Sequence, residues 1–415
     1  MTILSLEQAL ALPYATQRFV QLGWRVIRIE SPKEENSKSG DPNRYIGEDT
    51  GFDDLHSYYI PPNIGKEAIT LNLKLKEGQD LLKKLICELD VDVFLCNTLP
   101  LRYKQLGIDY ETLKEAKPDL IWCGISAMGP DYPDRAGYDP AMQAMLGYMY
   151  LTGEPTRDPM LCGLPLIDLK AGDEAFTQVL IAMLEKNTFK RLRNEDLEAC
   201  INQNPEECFN GKKIDISMAQ CAASWLITAL PQLQFVKNEA DVFTRSGNEH
   251  RSFIPCNCYP TNDGHVYLAI GNDSQWDKLT KIQGFAHLQK VERTTNQGRN
   301  NDKDKIYEEI RTGLKNYTTS EFVEICSKLG LAVSPVNSTS DVAKLDFVKQ
   351  NMLKTNLPSG KQVSLFPVPV STSYLQEKKF TLSCAPRLGE HNEKIYSEAG
   401  LSNAEINTLI KNKII

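Results

Sequence analysis

The sequence predicts an α/β fold built around a parallel β-sheet, because apolar runs of strand length alternate with amphipathic helical segments over its first part. Residues 3–6 and 26–29 are apolar and strand-like. Pro13 suits the start of a helix between them, and Gly23 suits its end. The same alternation continues with a strand at 69–73, a helix at 78–89, and strands at 91–96 and 120–125. We therefore expect a sheet covered by helices.

The remainder of the chain is predicted to hold a second domain of a different kind. A helix over 173–186 is followed by a polar stretch, which is interpreted as a surface excursion. A further helix is expected to begin near Asp215, and Ser402 is placed to cap a last helix with Glu405 three residues later. The predicted domains are a large domain at 1–200 with an excursion at about 187–213, a linker helix at 214–245, a small α+β domain at 246–345, and a return linker with the C-terminal segment at 346–415.

Composition and charge exclude several classes of protein. The residues are 41% hydrophobic and 24% charged, as in folded globular proteins, and no apolar run reaches the ~20 residues that a membrane span needs. The apolar N-terminus lacks a basic leader and contains Glu7, so we expect a cytoplasmic protein. A net charge of -7 disfavours nucleic acid and anionic membranes as partners.

Neither a metal site nor a nicotinamide-type cofactor is expected. The 11 cysteines are scattered, and Cys256 and Cys258 lack a second pair of ligands at zinc spacing. Glu30 ends a strand where a ribose-binding acid would lie in a dinucleotide fold, but the preceding turn at 7–13 has no glycine. Side chains in that turn would keep a pyrophosphate away from the backbone.

Nine segments, in order along the chain, carry a more specific signal: Pro13-Tyr-Ala-Thr-Gln17, Val26-Ile-Arg-Ile-Glu30, Ile69-Thr-Leu-Asn-Leu-Lys74, Leu106-Gly-Ile-Asp-Tyr-Glu-Thr-Leu113, Arg135-Ala-Gly-Tyr-Asp139, Leu151-Thr-Gly-Glu-Pro155, Gly163-Leu-Pro-Leu-Ile-Asp168-Leu-Lys-Ala-Gly172, Pro335-Val-Asn337 and Ala385-Pro-Arg-Leu-Gly-Glu-His391. Together they resemble the family III CoA-transferases, the group of formyl-CoA transferase and the carnitine CoA-transferases. The resemblance implies a Rossmann-like large domain with a parallel sheet, a smaller α+β domain, and two subunits interlocked as a homodimer. It also implies acyl-CoA and a free carboxylic acid as substrates, with no permanently bound cofactor.

Asp168 matches the family's nucleophilic aspartate. A carboxylate can attack the carbonyl carbon of a thioester and form a mixed anhydride, which divides one difficult transfer into easier steps. Because Asp168 lies between a short apolar run and the helix that follows, we expect the helix dipole and the free amides to keep its pKa close to or below the usual ~3.9. On residue type alone, an aspartate in this place is more often a simple N-cap.

The resemblance also implies residues that contact the substrates. Two departures from the family pattern, Ser31 and Gln105, stand where arginines are common, so the ligands of the CoA phosphates stay open. The loop Gly271-Asn272-Asp273 resembles one that closes over the nucleophile, and on residue type alone it is a plain turn. The positions that match CoA-lining residues are Ala11, Leu71, Lys74, Asn97, Tyr138 and Met218.

Two alternatives remain at this point. An α-methylacyl-CoA racemase would share the fold and the aspartate, but it needs a second base where this chain has Tyr138, and a phenol is a weak base at neutral pH. The chain could also be one subunit of a heteromeric CoA-transferase, with the excursion at 187–213 as a partner surface. The identity of the two acids is not encoded in any recognisable motif.

Overall fold

The computed structural model describes residues 1–33, 38–195, 209–238 and 244–415. The strands in these residues are β1 Thr2–Leu6, β2 Arg25–Glu30, β3 Glu67–Thr70, β4 Val93–Cys96, β5 Ile121–Ser126, β6 Lys212–Ser217, β7 Cys256–Pro260, β8 His265–Ala269, β9 Ala332–Pro335, β10 Met352–Asn356, β11 Gln362–Pro367 and β12 Thr381–Leu382. The α-helices are α1 Ala11–Val20, α2 Lys76–Glu88, α3 Tyr103–Leu106, α4 Tyr110–Ala116, α5 Asp139–Met145, α6 Tyr148–Leu151, α7 Leu166–Glu195, α8 Met218–Trp225, α9 Asp273–Thr280, α10 Asn296–Asn301, α11 Lys303–Leu314, α12 Thr319–Lys328, α13 Thr339–Val342, α14 Asp346–Lys349, α15 Ser373–Glu377, α16 Asn392–Glu398 and α17 Asn403–Lys411.

The chain folds into two compact units. The first unit contains Met1–Leu146, Gly163–Pro231 and Lys349–Ile415, and the second contains Gly147–Cys162 and Gln232–Val348. Each unit has its own hydrophobic core. The first unit therefore takes its residues from the beginning, middle and end of the chain.

A six-stranded sheet forms the centre of the first unit, in the order β3-β2-β1-β4-β5-β6 with every neighbouring pair parallel. The strand residues from Val93 to Cys96 are all buried, as expected where helices cover both faces of a parallel sheet. Side chains of α2 and α4 join one hydrophobic core with those of the C-terminal helices. The predicted α/β fold with a parallel sheet is confirmed.

The sixth strand corrects the prediction for the middle of the chain. Residues 212–217 form β6 at an edge of the sheet, where a helix was expected to begin near Asp215. Its alternation of buried Ile214 and Ile216 with more exposed polar residues is typical of an edge strand. The expected long helix is reduced to α8, which begins at Met218 and is capped by Ser217.

The helix that was predicted at 173–186 is longer in both directions. In the structure α7 extends from Leu166 to Glu195, so the polar excursion does not begin at residue 187. Residues 212–213 also belong to regular structure, as the start of β6. The rest of the predicted excursion, at 196–208, lies outside the described residues.

A buried network of ion pairs joins the ends of the first strands to the segment that follows β2. Arg44 donates from Nε to Glu30 Oε2 at 2.8 Å and from Nη2 to the Tyr59 hydroxyl at 2.7 Å. Burial raises the pKa of Glu30, but the positive charges of Arg28 and Arg44 lower it to about 2. Lys66 lies 2.7 Å from Glu7 in the same interior, and burial lowers the pKa of its ammonium group to about 8. These charges are retained because each has a partner.

The C-terminal part of the chain packs beside β3. The amide of His391 donates to the Ala68 carbonyl at 3.0 Å, and the Tyr396 hydroxyl donates to the Thr70 carbonyl at 2.6 Å. Ile414 and Ile415 belong to the same core as α2. The helix predicted in this tail is confirmed as α17, with a capping box between Ser402 and Glu405.

The second unit contains the antiparallel sheet β7-β8-β9 and helices α9 to α13. Its core is formed by apolar side chains of these strands and helices. The prediction of a smaller α+β part is confirmed by this arrangement.

Among the residues that the structure describes, no helix has both the length and the apolar character that a bilayer crossing requires.

The buried network gives a test of the fold. Replacing Arg44 (Arg44→Met) leaves Glu30 with less compensation in the interior, so we expect a loss of about 3–5 kcal/mol in the free energy of unfolding. Urea denaturation followed by circular dichroism measures this loss. As a control, Lys76→Met breaks an exposed pair with Asp80 and should cost no more than about 0.5 kcal/mol. Equal effects of the two substitutions would contradict the role given to the network.

Candidate active site

Several of the predicted CoA-lining residues follow strands at the carboxyl edge of the parallel sheet, as Gln8 also does. Gln8 follows β1, Leu71 follows β3, Asn97 follows β4, and Met218 follows β6. The order of the strands reverses between β1 and β4, so that their following loops diverge at this point. Ligands of open α/β sheets bind at such a switch point.

Two neighbouring cavities of the first unit hold all the predicted CoA-lining residues together with Asp168. One has a volume of about 210 Å³ and the other about 200 Å³. Gln8 and Thr98 line both cavities and therefore form a wall that they share. The first cavity is lined by Ala11, Asn97, Tyr138, Asp168 and Met218, and the second by Leu71 and Lys74.

Asp168 lies in the first turn of α7, where it is largely removed from water. Burial, with a further contribution from the charge of Asp139, raises the pKa of its carboxyl group from 3.8 to about 7. The expectation of a pKa close to or below 3.9 is therefore wrong, because desolvation outweighs any effect of the helix dipole. The side chain is also not the N-cap of the helix, because α7 begins two residues earlier, at Leu166.

Asp139 is a site residue that the sequence alone did not single out. It is 4% exposed, and its Oδ2 accepts hydrogen bonds from the amides of Ile167 at 2.7 Å and Asp168 at 3.2 Å. Gln143, one turn later on α5, donates to its other carboxylate oxygen. Asp139 thus satisfies the free amides of the first turn of α7 and brings a second carboxylate to Asp168. The only signal in the sequence was its place after Tyr138 in a motif.

Close packing of α7 on α1 fixes the depth of Asp168 in the cavity. A Cβ atom on Gly172 would lie 2.7 Å from the Ala11 carbonyl oxygen and 2.7 Å from a ring carbon of Tyr14. Only glycine allows the two helices to approach this closely. Phe19 and Phe176 continue the contact, with ring centroids 4.8 Å apart.

Basic side chains lie in both cavities, and the two arginines among them stand at other positions than those where the family pattern has arginines. Lys74 and Arg102 line the cavity that contains Leu71, and Arg135 lines the cavity that contains Asp168. Ser31, which stands where an arginine is common, also lines the former. Arg102 lies three residues before Gln105 in the sequence, and nothing in the sequence places Arg135 in the cavity of Asp168.

Tyr138 is 75% exposed and precedes α5, at the rim of the first cavity. No histidine is found among the described residues that line this cavity. The second base that a racemase needs is therefore not supplied by the residues around Asp168.

Gly271, Asn272 and Asp273 belong to the second unit. The Asn272 side chain accepts the Gln275 amide at 2.9 Å and caps α9, and Asp273 pairs with buried Arg299 at 2.8 Å. The loop therefore has a clear structural function within its own unit. Its proposed closure over Asp168 stays a prediction.

The chain matches known proteins over nearly its whole length. The family model described as CoA-transferase family III matches residues 1–190 and 197–392. A succinate–glutarate CoA-transferase of Agrobacterium fabrum is 27% identical over 411 residues, covering 95% of this chain and 94% of the relative. A succinyl-CoA:glutarate CoA-transferase of Mus musculus is 28% identical over 407 residues, with 95% and 85% covered. A formyl-CoA:oxalate CoA-transferase of Streptomyces avermitilis is 25% identical over 410 residues, with 97% and 95% covered.

A solved structure gives the same result for the fold. The crystal structure of a CAIB/BAIF family protein from Brucella suis is 28% identical and superposes with a TM-score of 0.78. The match covers 96% of this chain and 98% of that protein.

The raised pKa of Asp168 gives a test that needs no substrate. From about pH 4 to pH 7 the unfolded chain has lost this proton while the folded chain keeps it, so the folded state loses stability as pH rises. Asp168→Asn removes the buried charge, and we expect it to stabilise the protein at pH 8 by on the order of 1–4 kcal/mol. The gain should shrink towards zero near pH 4, as measured by denaturation at each pH. The exposed Asp134→Asn variant is the control, and a gain for Asp168→Asn that did not depend on pH would contradict the assignment.

Proposed function

The chain belongs to CoA-transferase family III, and we propose that it moves coenzyme A from an acyl-CoA to a free carboxylate, with Asp168 as the nucleophile. The acyl-CoA and the acid are the two substrates, and Asp168 carries CoA between them.

The observation that carries this proposal is the state of Asp168. Its carboxyl group is half-buried beside Asp139 in a cavity at the carboxyl edge of the sheet, and this partial burial raises its pKa to about 7. A carboxylate in such a place is poorly solvated and near another negative charge, so that its ionised form is reactive. When Asp168 becomes acylated its charge disappears, and both penalties are removed with it. The covalent intermediate is therefore favoured relative to the free carboxylate.

The first half of the reaction loads the enzyme with CoA. An Asp168 carboxylate oxygen attacks the thioester carbonyl carbon, the C–S bond breaks, and CoA leaves as a thiolate. The product on the enzyme is a mixed anhydride between Asp168 and the donor acyl group. The thiolate then attacks the aspartyl carbonyl carbon, which forms an aspartyl-CoA thioester and releases the donor acid as a carboxylate.

The second half passes CoA to the new acid. The incoming carboxylate attacks the aspartyl thioester and forms a second anhydride, with release of the CoA thiolate. The thiolate attacks the acyl carbonyl carbon of this anhydride, giving the new acyl-CoA and a free Asp168 carboxylate. Atoms and charges balance over the cycle, and no proton has to be taken from either substrate.

The basic residues of the two cavities suit anionic substrates. Lys74 and Arg102 line one cavity and are proposed to receive the phosphate groups of CoA, which would leave its thioester end near Gln8 and Thr98. Arg135 lines the other cavity and is proposed to offset the repulsion between the incoming carboxylate and the acidic pair Asp168 and Asp139. These roles replace those of the arginines that are absent at Ser31 and Gln105.

The acids are proposed to be short dicarboxylates. Two of the relatives carry succinate or succinyl-CoA together with glutarate in their names. Succinyl-CoA as donor and glutarate as acceptor is therefore the first pair to assay. Oxalate, a shorter dicarboxylate, is the second acceptor to assay, with formyl-CoA as its donor, because a less similar relative carries these two in its name.

A second copy of the chain is the proposed partner, as the family resemblance implies. Apolar side chains remain exposed on α7 and after α8 in the first unit, including Leu184 at 67% and Ile227 at 75%. Trp225, also exposed, lies against α7 with its ring 5.9 Å from the Lys170 ammonium group. We propose that the second copy covers these side chains, because a larger exposed apolar patch marks an interaction surface.

The nucleophile is tested by Asp168→Ala with succinyl-CoA and glutarate. We expect CoA transfer to fall below detection, a loss of at least about 10³-fold, because the covalent route has no other acceptor. Mass spectrometry after incubation of the wild-type protein with acyl-CoA and hydroxylamine should find the hydroxamate on Asp168. Exposed Asp134→Ala is the matched control. Substantial transfer by Asp168→Ala, with the fold intact, would contradict the mechanism.

The dimer is tested by light scattering after gel filtration. We expect the wild-type chain alone to have twice the mass of one chain, and Leu184→Asp combined with Ile227→Asp to shift it towards the monomer. Val291→Asp, at another exposed apolar position, should leave the mass unchanged. A monomeric wild type that gains activity only with a second, different chain would favour the heteromeric alternative.

A further inference from the structure

The backbone of Gln8 and Ala9 is held entirely by side chains from other parts of the chain. Asn97 accepts from the Gln8 amide at 3.1 Å and donates to the Gln8 carbonyl at 2.7 Å. Asp41 accepts from the Ala9 amide at 3.2 Å, and Asn43 donates to the Ala9 carbonyl at 2.8 Å. Every polar group of these two residues' backbone thus has a side-chain partner. We call Asp41, Asn43 and Asn97 the loop clamp.

The conformation that the loop clamp holds is an unfavourable one. Ala9 has a φ of +61°, in the left-handed region that residues with a Cβ atom rarely adopt. Alanine has no side chain that could stabilise this conformation locally. Strained backbone of this kind persists only where the surrounding structure determines it, and it is concentrated at functional sites.

The loop clamp is itself firmly anchored. Asp41 is 2% exposed, and its second carboxylate oxygen lies 3.0 Å from Nη2 of the fully buried Arg28. Its first oxygen also accepts the Asn43 amide at 3.0 Å, which orders the backbone that carries Asn43. Asn97 directly follows the buried strand β4. The loop clamp therefore connects the loop to the sheet and to the buried network of ion pairs.

The loop stands between the two cavities. Gln8 lines both of them, and Ala9 lines the one that contains Asp168. A substrate that occupied both cavities would have to pass over this wall. The position of the wall therefore sets how far the reacting end of that substrate extends towards Asp168.

We propose that Asp41, Asn43 and Asn97 are positioning residues, which fix the wall at Gln8 and Ala9 so that the thioester carbonyl carbon lies opposite the Asp168 carboxylate. This inference rests on the proposed CoA transfer. Asn97 was predicted to contact CoA through its amide, and in the structure both ends of that amide are bonded to Gln8. It acts on the substrate through the loop.

Positioning predicts a particular kinetic effect. A displacement of about 1 Å at the reacting atoms can cost about 10²-fold in rate, even when the ligand still binds. Loss of the loop clamp should therefore lower kcat, whereas KM for the acyl-CoA depends mainly on the cavity around Leu71 and Lys74. Replacement of a residue that only stabilised the fold would not lower kcat while it left KM unchanged.

The experiment compares Asn97→Ala, Asn43→Ala and their double variant in the full-length protein. We expect Asn97→Ala to lower kcat about 10- to 100-fold, with KM for succinyl-CoA changed by less than about threefold. Formation of the aspartyl-CoA adduct, followed by mass spectrometry, should slow by the same factor. The double variant should lose less than the product of the single losses, because both act on one loop. If Asn97→Ala does not fold, the same kinetic measurements on Asn43→Ala test the proposal.

Ser402→Ala is the control, since it removes a side-chain bond to the Glu405 amide in the same unit, far along the chain from the site. It should lower the stability of the protein without a change in kcat. An Asn97→Ala variant with the kcat of this control, or with a raised KM alone, would overturn the inference. A wild-type protein that transferred no CoA would instead contradict the proposed function. The two failures are therefore distinguishable.

Discussion

The contact between Asp139 and the first turn of α7 is the interaction on which the site depends. By accepting the amides of Ile167 and Asp168, Asp139 fixes the start of the helix and introduces a negative charge beside Asp168. Burial of Asp168 and this neighbouring charge raise its pKa to about 7. The protein thus holds a carboxyl group whose ionised form is unfavourable in the folded state. Covalent modification removes that disadvantage, which is how structure and proposed chemistry are connected.

The parallel sheet determines what can surround that carboxyl group. Its strands end at one edge, and the reversal of order between β1 and β4 opens a space there. The close approach of α1 and α7 at Gly172 brings Asp168 into this space. Side chains from after β2 and β4 then hold the loop after β1, at Gln8 and Ala9. The sheet and the buried ion pairs of Arg28 and Arg44 therefore fix the positions of the residues around the site.

Features that depend on the local pattern of residues were predicted correctly from the sequence. Features that depend on contacts between residues far apart along the chain were not. Alternation of apolar runs identified five strands of the central sheet, but β6 was missed because only Ile214 and Ile216 of its six residues are apolar and a helix begins directly after it at Met218. The family motifs correctly indicated which residues lie together, because Asp168 and all the predicted CoA-lining residues line two adjoining cavities. The role of Asp139 depends on amides 28 and 29 positions along the chain. The direction of the pKa shift of Asp168 depends on how far its side chain is removed from water. A sequence motif shows neither the role of Asp139 nor the burial of Asp168.

Transfer of an oxygen isotope tests the central claim most directly. If the acceptor acid carries ¹⁸O in its carboxylate, attack on the aspartyl-CoA thioester followed by thiolate attack on the acyl carbon leaves one labelled oxygen on Asp168. Mass spectrometry of the peptide that contains Asp168 should therefore find ¹⁸O after turnover with acyl-CoA, and none without acyl-CoA. Rapid CoA transfer with no label on Asp168 would contradict the account.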